Sequence, residues 1–366
     1  MDYALLNTHR KTVKSAYLSA KEAIADGKFA KARRYIEMAM ESCTYIVHNS
    51  VDADERARYR EYADKLKALD EAAANPRSAS ADQSDEHVCK VPVVKPKRMT
   101  LDQALAALDA LIGLESVKAE IHPLVDQNLV FKMRTQRGLK VPDMSNHMVF
   151  TGNPGTGKTT VARLLAGIFL SLGMVSKGHL VETKRDDLVA EYVGQTAVKT
   201  QQVIDRAIGG VLFIDEAYAL AKGGNDFGQE AIDTLLVAME NYRNDLIVIV
   251  AGYDDLMAKF LRSNPGLPSR FTRTIHFDDY NEAELLAIYE KFCRDNQYQV
   301  SEAARKMLVE HFADVYAHRG EHFGNGREVR KYFEDTIKKQ SSRINAAKRQ
   351  LTNEEIMAIL PEDLPN

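Results

Sequence analysis

Apolar residues near the N-terminus recur at helical spacing. Val13, Tyr17, Ala20 and Ile24 form one stripe, which Asp26-Gly27 interrupts, and Phe29, Ile36, Met40, Cys43 and Val47 form a second. A third runs through Tyr59, Tyr62, Leu66 and Leu69, after an Asn49-Ser50 break able to cap a helix start. Each stripe needs another to cover it. Residues 1–75 are therefore predicted to form a small antiparallel helical bundle, an N-terminal adaptor domain.

The periodicity then stops. Residues 76–99 gather Ser, Asp, Pro and Lys, in P-R-S-A-S-A-D-Q-S-D-E and then V-P-V-V-K-P-K-R, which predicts a flexible linker. Structure resumes at T-L-D-Q, where Thr100 can cap a helix and Gln103 can reach back to it. From there to residue 279, helical patterns alternate with the apolar runs M-V-F-T-G, H-L-V-E-T, V-L-F-I-D, L-I-V-I-V-A and T-I-H-F. Such alternation predicts an α/β domain at 100–279, with a parallel sheet covered on both faces. From Asn281 onward the strand pattern vanishes. Helices at 281–296, 301–318 and 325–347, with a short one after them, predict an all-helical module at 280–366.

Composition narrows the function classes. The 49 Lys and Arg nearly balance the 52 Asp and Glu, a net charge of −3, so nothing electrostatic points to nucleic acid as the partner. The basic run K-A-R-R at 31–34 reads as a solvated helix face. Cys43, Cys89 and Cys293 lie far apart without a C-x-x-C spacing, which fits a reducing cytosol. The start M-D-Y-A-L-L-N-T-H-R lacks a signal-peptide pattern, and no window approaches the roughly 18 apolar residues of a membrane span. The expectation is a cytoplasmic protein without a membrane span. His318 and His322 form a close pair, but no third ligand stands near them, so no metal site is assigned there.

One block carries unmistakable chemistry. Gly152, Asn153, Pro154, Gly155, Thr156, Gly157, Lys158 and Thr159 match G-x-x-x-x-G-K-[ST] between a predicted strand and a helical pattern. Glycines there let backbone N–H groups turn toward an anion, and the helix N-terminus adds partial positive charge. Lys158 is expected to reach the β- and γ-phosphates, the Thr159 hydroxyl to ligate Mg²⁺, and Thr160 to lie beside the nucleotide. Downstream, V-L-F-I-D-E ends a buried strand at Asp215, placed to hold Mg²⁺, with Glu216 placed to polarise an attacking water. The expected cofactors are ATP and Mg²⁺.

These motifs, together with L-I-G-L-E-S-V-K, E-Y-V-G-Q-T-A-V-K-T, A-G-Y-D-D-L-M, N-P-G-L-P-S-R-F and G-N-G-R-E-V-R, resemble an AAA+ ATPase across residues 101–363. The likeness is particularly to the subgroup that contains the red-type Rubisco activases, stage V sporulation protein K and the type VII secretion accessory ATPases. The resemblance implies a P-loop NTPase core with strand order 5-1-4-3-2, a C-terminal helical lid, and a homo-oligomeric ring, usually a hexamer. In the N-terminal bundle, A-D-G-K-F-A-K-A-R-R-Y-I-E-M-A resembles tetratricopeptide and microtubule-interacting-and-transport helices, in a single copy.

Residue roles follow from the same resemblance. Arg270 in S-R-F and Arg273 in T-R-T match positions that reach a neighbouring subunit's γ-phosphate. Arg327 in G-N-G-R resembles the lid arginine that contacts nucleotide, with Arg330 as its rival, and Ile112-Gly113 are placed near the adenine. Tyr253 stands where many relatives carry a polar sensor residue, often Asn. Tyr192, Val193 and Gly194 occupy the place of a pore loop, where an aromatic grips a threaded chain and glycine lets the loop move. The function expected is ATP-driven remodelling of a protein client, with a further partner at the N-terminal helices. The alternative is a nucleotide-gated scaffold, and a DNA-directed role is disfavoured by the charge balance.

Overall fold

The computed structural model describes residues 9, 12–13, 16–21, 23–24, 29–50, 52–74, 91–94, 99–142, 144–190, 192, 195–221 and 227–365. They belong to two units, Met1–Val88 and Cys89–Asn366.

The first unit is helical. Residues 16–21 form part of a helix, followed by α1 (Phe29–Asn49) and α2 (Ala53–Ala74). The stripes meet as their spacing requires: Val13, Ala20, Ile36, Cys43 and Leu66 are buried together, with Tyr17, Tyr59 and Tyr62 packed against them. One position differs by a residue, since Ile46 is fully buried and Val47 only half-buried. The break before α2 is built from side chains. Ser50 Oγ donates to Glu55 Oε2 at 2.5 Å and accepts from the Asp52 N–H at 3.2 Å. Asp52 Oδ1 accepts from the Glu55 N–H at 3.3 Å, satisfying a first-turn donor. The Asp26-Gly27 break lies outside the described residues.

The second unit opens on β1 (Val93–Val94), α3 (Leu101–Asp109) and α4 (Glu115–Gln136). Strand β2 (His147–Gly152) leads to α5 (Lys158–Leu172), and β3 (Leu180–Thr183) to α6 (Arg185–Leu188) and α7 (Thr196–Ala207). Next come β4 (Val211–Ile214), α8 (Gly228–Asn241), β5 (Ile247–Gly252), α9 (Asp254–Arg262), α10 (Gly266–Arg270) and β6 (Phe271–Phe277). The sheet order is β1-β3-β4-β5-β2-β6. Strands β2 to β6 are mutually parallel and, counted along the chain, give the order 5-1-4-3-2. Neighbouring residues face opposite layers, as a pleated strand demands. Phe150 and Phe213 enter one core, whereas Val149 and Leu212 enter the other.

One strand was not expected. β1 lies inside the stretch read as linker and pairs antiparallel with β3, Val93 against Val181 and Val94 against Leu180. Val91 is buried, its carbonyl accepts from Arg206 Nη2 at 2.6 Å, and the Pro92 carbonyl accepts from Glu182 N at 3.3 Å. Proline lacks a donor, so an edge is where it fits a sheet. At Thr100 the capping box forms in both directions, at 3.3 and 3.1 Å.

The remaining residues form α11 (Glu282–Asp295), β7 (Gln299–Val300), α12 (Glu302–Ala317), α13 (Gly326–Ala346), α14 (Asn353–Met357) and β8 (Ala358–Ile359). The helices match their expected spans within a residue. The all-helical expectation needs one correction: β7 and β8 pair in parallel. Two-residue strands are too short to display a period of two, so the sequence pattern hides them.

Candidate nucleotide site

β2 is buried along its whole length and delivers Gly152 to the C-terminal end of the sheet. The turn that follows needs glycine where the backbone is left-handed or crowded. Gly155 has φ +76, and a Cβ there would stand 2.2 Å from the Gly324 carbonyl oxygen. Gly157 has φ +96 and starts α5 without a side-chain cap, so the first-turn N–H groups of this helix have no side-chain acceptor. No acidic residue stands in that first turn, which leaves the positive helix end open to an anion.

A cavity of about 400 Å³ lies over this helix start. Its floor is Gly152, Pro154, Gly155, Gly157, Lys158 and Thr159, with Thr160 beside them. Asp215 and Glu216 close one wall from the end of β4, and Tyr253 joins them from the end of β5. Ile112 and Leu114 line the apolar end, together with Ile288 and Phe292 of α11. Arg327 and Arg330 both enter from the first turns of α13, and Arg330 lies over the Phe292 ring at 5.3 Å. Both arginines named from the sequence thus reach the same space.

Lys158 is held inside its own loop. Its Nζ donates to the carbonyls of Gly152 at 2.8 Å and Asn153 at 2.7 Å. Burial pushes the amine down to about 8; the Arg327 charge lowers it further, while Asp215 opposes the fall. Asp215 hangs from a buried strand, and its Oδ1 accepts from the Glu216 N–H at 3.1 Å. Glu216 itself has φ +53, a left-handed backbone that costs a non-glycine residue about 1–2 kcal/mol. Such strain at an exposed carboxylate beside the cavity is a recurrent mark of function. The hydroxyl of Thr159 and the carboxylate of Asp215 both border the cavity beside Lys158, an oxygen pair suited to Mg²⁺.

Other residues named from the sequence stand elsewhere. Asn153 and Thr156 lie behind the loop, where Thr156 Oγ1 donates to the Asn153 carbonyl at 2.8 Å. Gly113 is beside the cavity rather than on its wall, with φ +60 and the Glu284 carboxylate against its α-carbon. Arg270 and Arg273 do not line this chain's cavity. Arg270 pairs with Glu240 at 3.4 Å and Arg273 with Glu120 at 3.9 Å, and the buried Arg270 Nε has no partner among the described residues. Tyr192 is 68% exposed. The ends of its loop are pinned: Thr196 Oγ1 accepts from Ala190 N at 3.0 Å, and Lys199 Nζ donates to the Val189 carbonyl at 3.0 Å. Val193 and Gly194 lie outside the described residues.

Sequence reading missed a second group of residues. Tyr280 Oη donates to the Thr156 carbonyl at 3.1 Å, with burial pushing the phenol up to about 12. Asp279 accepts from Asn153 and Asn325, and the N–H of Gly326 donates to the Gly155 carbonyl at 3.2 Å. Asp279 and Tyr280 immediately precede α11, whose start is closed by the Asn281–Glu284 capping box.

Residues 148–279 match the ATPase family associated with various cellular activities (AAA), and residues 281–366 match the AAA lid domain. The chain is 41% identical over 287 residues to stage V sporulation protein K of Bacillus subtilis, covering 78% of this chain and 89% of that protein. It is 44% identical over 272 residues to the chloroplastic ribulose bisphosphate carboxylase/oxygenase activase of Cyanidioschyzon merolae, covering 73% and 92%. Protein CbxX of Cupriavidus necator, the chromosomal form, is 47% identical over 249 residues, covering 67% and 77%. Among solved structures, the FIGL-1 AAA domain overlays with a TM-score of 0.52 at 15% identity, covering 78% of this chain and 88% of that one, a likeness of fold.

Proposed function

The chain belongs to the AAA ATPase family, and from that premise we propose that it forms a ring, in which Arg270 and Arg273 face a neighbouring copy's cavity, and threads a protein client past Tyr192.

ATP with Mg²⁺ is the family's cofactor pair, and the cavity offers a hand to each part of it. Lys158 and the first-turn N–H groups of α5 receive the phosphates, and Ile112 and Phe292 offer an apolar surface to the base. Thr159 and Asp215 would hold Mg²⁺, which when bound offsets the charge of the phosphate oxygens. Glu216 orients and polarises the attacking water from the same wall. Arg270 and Arg273 stand away from this cavity, which is the placement expected of groups that serve a neighbouring copy's γ-phosphate.

The observation that carries the remodelling reading is Tyr192, a large aromatic 68% exposed between the tethered positions Ala190 and Thr196. An exposed aromatic at this place, between the phosphate loop and the Asp215-Glu216 strand, is available to give apolar, sequence-tolerant grip on another chain. The N-terminal helical unit recruits a partner or client, and a cytoplasmic setting completes the reading. Among the described residues, no helix is long and apolar enough to cross a membrane.

The test is capture. Glu216→Gln held in ATP should retain ring and client together for imaging, and Tyr192→Ala should lose client remodelling while Tyr192→Phe keeps it. Remodelling that survives Tyr192→Ala unchanged would refute the threading role. Retention of biological activity by Glu216→Gln would instead favour a nucleotide-gated scaffold, which the separate N-terminal unit could also serve.

A further inference from the structure

Between the last strand of the sheet and the first lid helix, the segment 278–281 touches the phosphate loop and the lid at once. The Asp279 carboxylate accepts from Asn153 Nδ2 at 3.1 Å through both oxygens, and from Asn325 Nδ2 at 2.7 Å. Asn325 is fully buried and uses its whole amide: Oδ1 accepts from Tyr280 N at 2.8 Å, and Nδ2 also donates to the Phe323 carbonyl at 3.1 Å. Its φ of +49 with ψ −126 lies outside the left-handed helical well, a strained turn for a non-glycine residue. That backbone turn brings Gly326 N to the Gly155 carbonyl at 3.2 Å and starts the helix that carries Arg327. A Cβ on Gly155 would collide with the Gly324 oxygen and one on Gly326 would stand 2.9 Å from the Gly155 oxygen, so loop and lid backbones touch directly.

We propose that Asp279 is a positioning residue that locks the phosphate loop, through Asn153, to the lid helix, through Asn325, and so sets where Arg327 meets the nucleotide.

Asp279 does not line the cavity, so it acts through others. The two amides reach it from opposite sides of the core–lid junction, Asn153 from the loop and Asn325 from the turn before α13. A displacement of the loop by bound phosphate is thereby passed to the lid without relying on the nucleotide's own reach. The inference rests on the reading of Arg327 as a nucleotide contact.

Steady-state ATPase kinetics of the full chain test it with Asp279→Ala, Asp279→Asn, Arg327→Ala and the Asp279→Ala/Arg327→Ala double variant. An amide at 279 can give its oxygen to Asn325 and its NH₂ to Asn153, whose own amide turns over to accept it. Asp279→Asn should therefore stay within about 2-fold of the parent kcat, whereas Asp279→Ala should fall about 10-fold, one decade for roughly 1.4 kcal/mol of barrier. The double variant should be no slower than Arg327→Ala alone, because both changes remove one contact; independent structural damage would multiply instead. Asp279→Ala at the parent rate, Asp279→Asn as slow as Asp279→Ala, or multiplying losses would each overturn the lock. Arg327→Ala at the parent rate would refute the reading of Arg327, a distinct result. Should Asp279→Ala fail to fold, Asn325→Gly, which keeps the backbone turn and deletes the amide, is expected to give the same loss and is judged the same way.

Discussion

Lys158 Nζ donates to the carbonyl oxygen of Asn153 at 2.7 Å, so the loop's one cation is folded onto the loop itself. With burial pushing that amine down to about 8, nucleotide affinity becomes pH-dependent in an unusual range. Phosphate needs the charged form, so above pH 8 each binding event must take up a proton. The Kd for ATP should rise by about tenfold per pH unit there, and stay flat below. Stability of the free protein runs the other way. The folded amine titrates below its ordinary 10.5, so the unfolded chain holds more protons between about 8 and 10.5, and the Lys158 contribution to stability rises with pH across that window. Calorimetric titration of ATP between pH 7 and 9.5 checks this, and an unchanged Kd would show that the amine is not depressed. Asp215→Asn, which removes a charge that supports the ammonium, should move the break to lower pH.

Arg270 offers a test in mixed assemblies. Its Nη1 donates to Ser269 Oγ at 2.9 Å and its Nη2 reaches Glu240 at 3.4 Å, but its buried Nε has no partner among the described residues. Arg270→Ala alone should lower ATPase activity by about 10³-fold or more. Lys158→Ala should be inactive for a different reason, in its own cavity. Mixing the two inactive variants should restore measurable turnover, because an intact loop in one subunit then meets an intact arginine in the next. Absence of any recovery across mixing ratios would place the role of Arg270 within one subunit.

The contrast between these residues explains what was legible in the sequence. The phosphate loop and the Asp215-Glu216 pair are contiguous, so their chemistry can be read from a few letters in a row. The central strands β2, β4 and β5 were legible because each is a buried, mainly apolar run. The Asp279 junction was not, since it joins residues 126 and 46 positions apart and each partner alone is an ordinary polar residue. β1 was hidden for a different reason: its pairing is only two residues long and lies among prolines, where composition spoke for a linker. Tyr192 was marked by its place between motifs, but its exposure is a property that only the folded loop supplies.

Gly155 predicts a steric effect that separates loop from lid. An added methyl group would meet the Gly324 carbonyl at 2.2 Å and the Arg327 N–H at 2.8 Å, at φ +76. Both obstacles are backbone, so the lid must move away, and the left-handed turn adds about 1–2 kcal/mol of strain. Gly155→Ala should lower thermal stability and weaken nucleotide binding together. Gly138, with φ +69 and nothing near its α-carbon, is the control: Gly138→Ala carries the backbone strain without a collision. Equal losses from the two substitutions, measured by thermal unfolding and nucleotide titration, would show that crowding at the lid contributes nothing.

The far end of the lid is fastened by Arg343 and Asp363, and the two partners are unequally buried. Arg343 Nε and Nη2 donate to the two carboxylate oxygens at 2.7 and 2.8 Å; the aspartate is fully buried, the arginine 25% exposed. Paired, the charges satisfy each other. Remove one, and the cost depends on what the survivor can do. Without Asp363, Arg343 can turn toward solvent and still donate to the Ala358 carbonyl, now at 3.0 Å. Without Arg343, the carboxylate stays buried with the Leu360 N–H at 2.9 Å as its remaining short contact. Arg343→Ala should therefore cost about 3–5 kcal/mol of unfolding free energy, and Asp363→Asn clearly less. Denaturant unfolding of both variants measures the difference. Equal losses would mean that the arginine is as trapped as the aspartate, and that β8 rather than the ion pair holds this end of the lid in place.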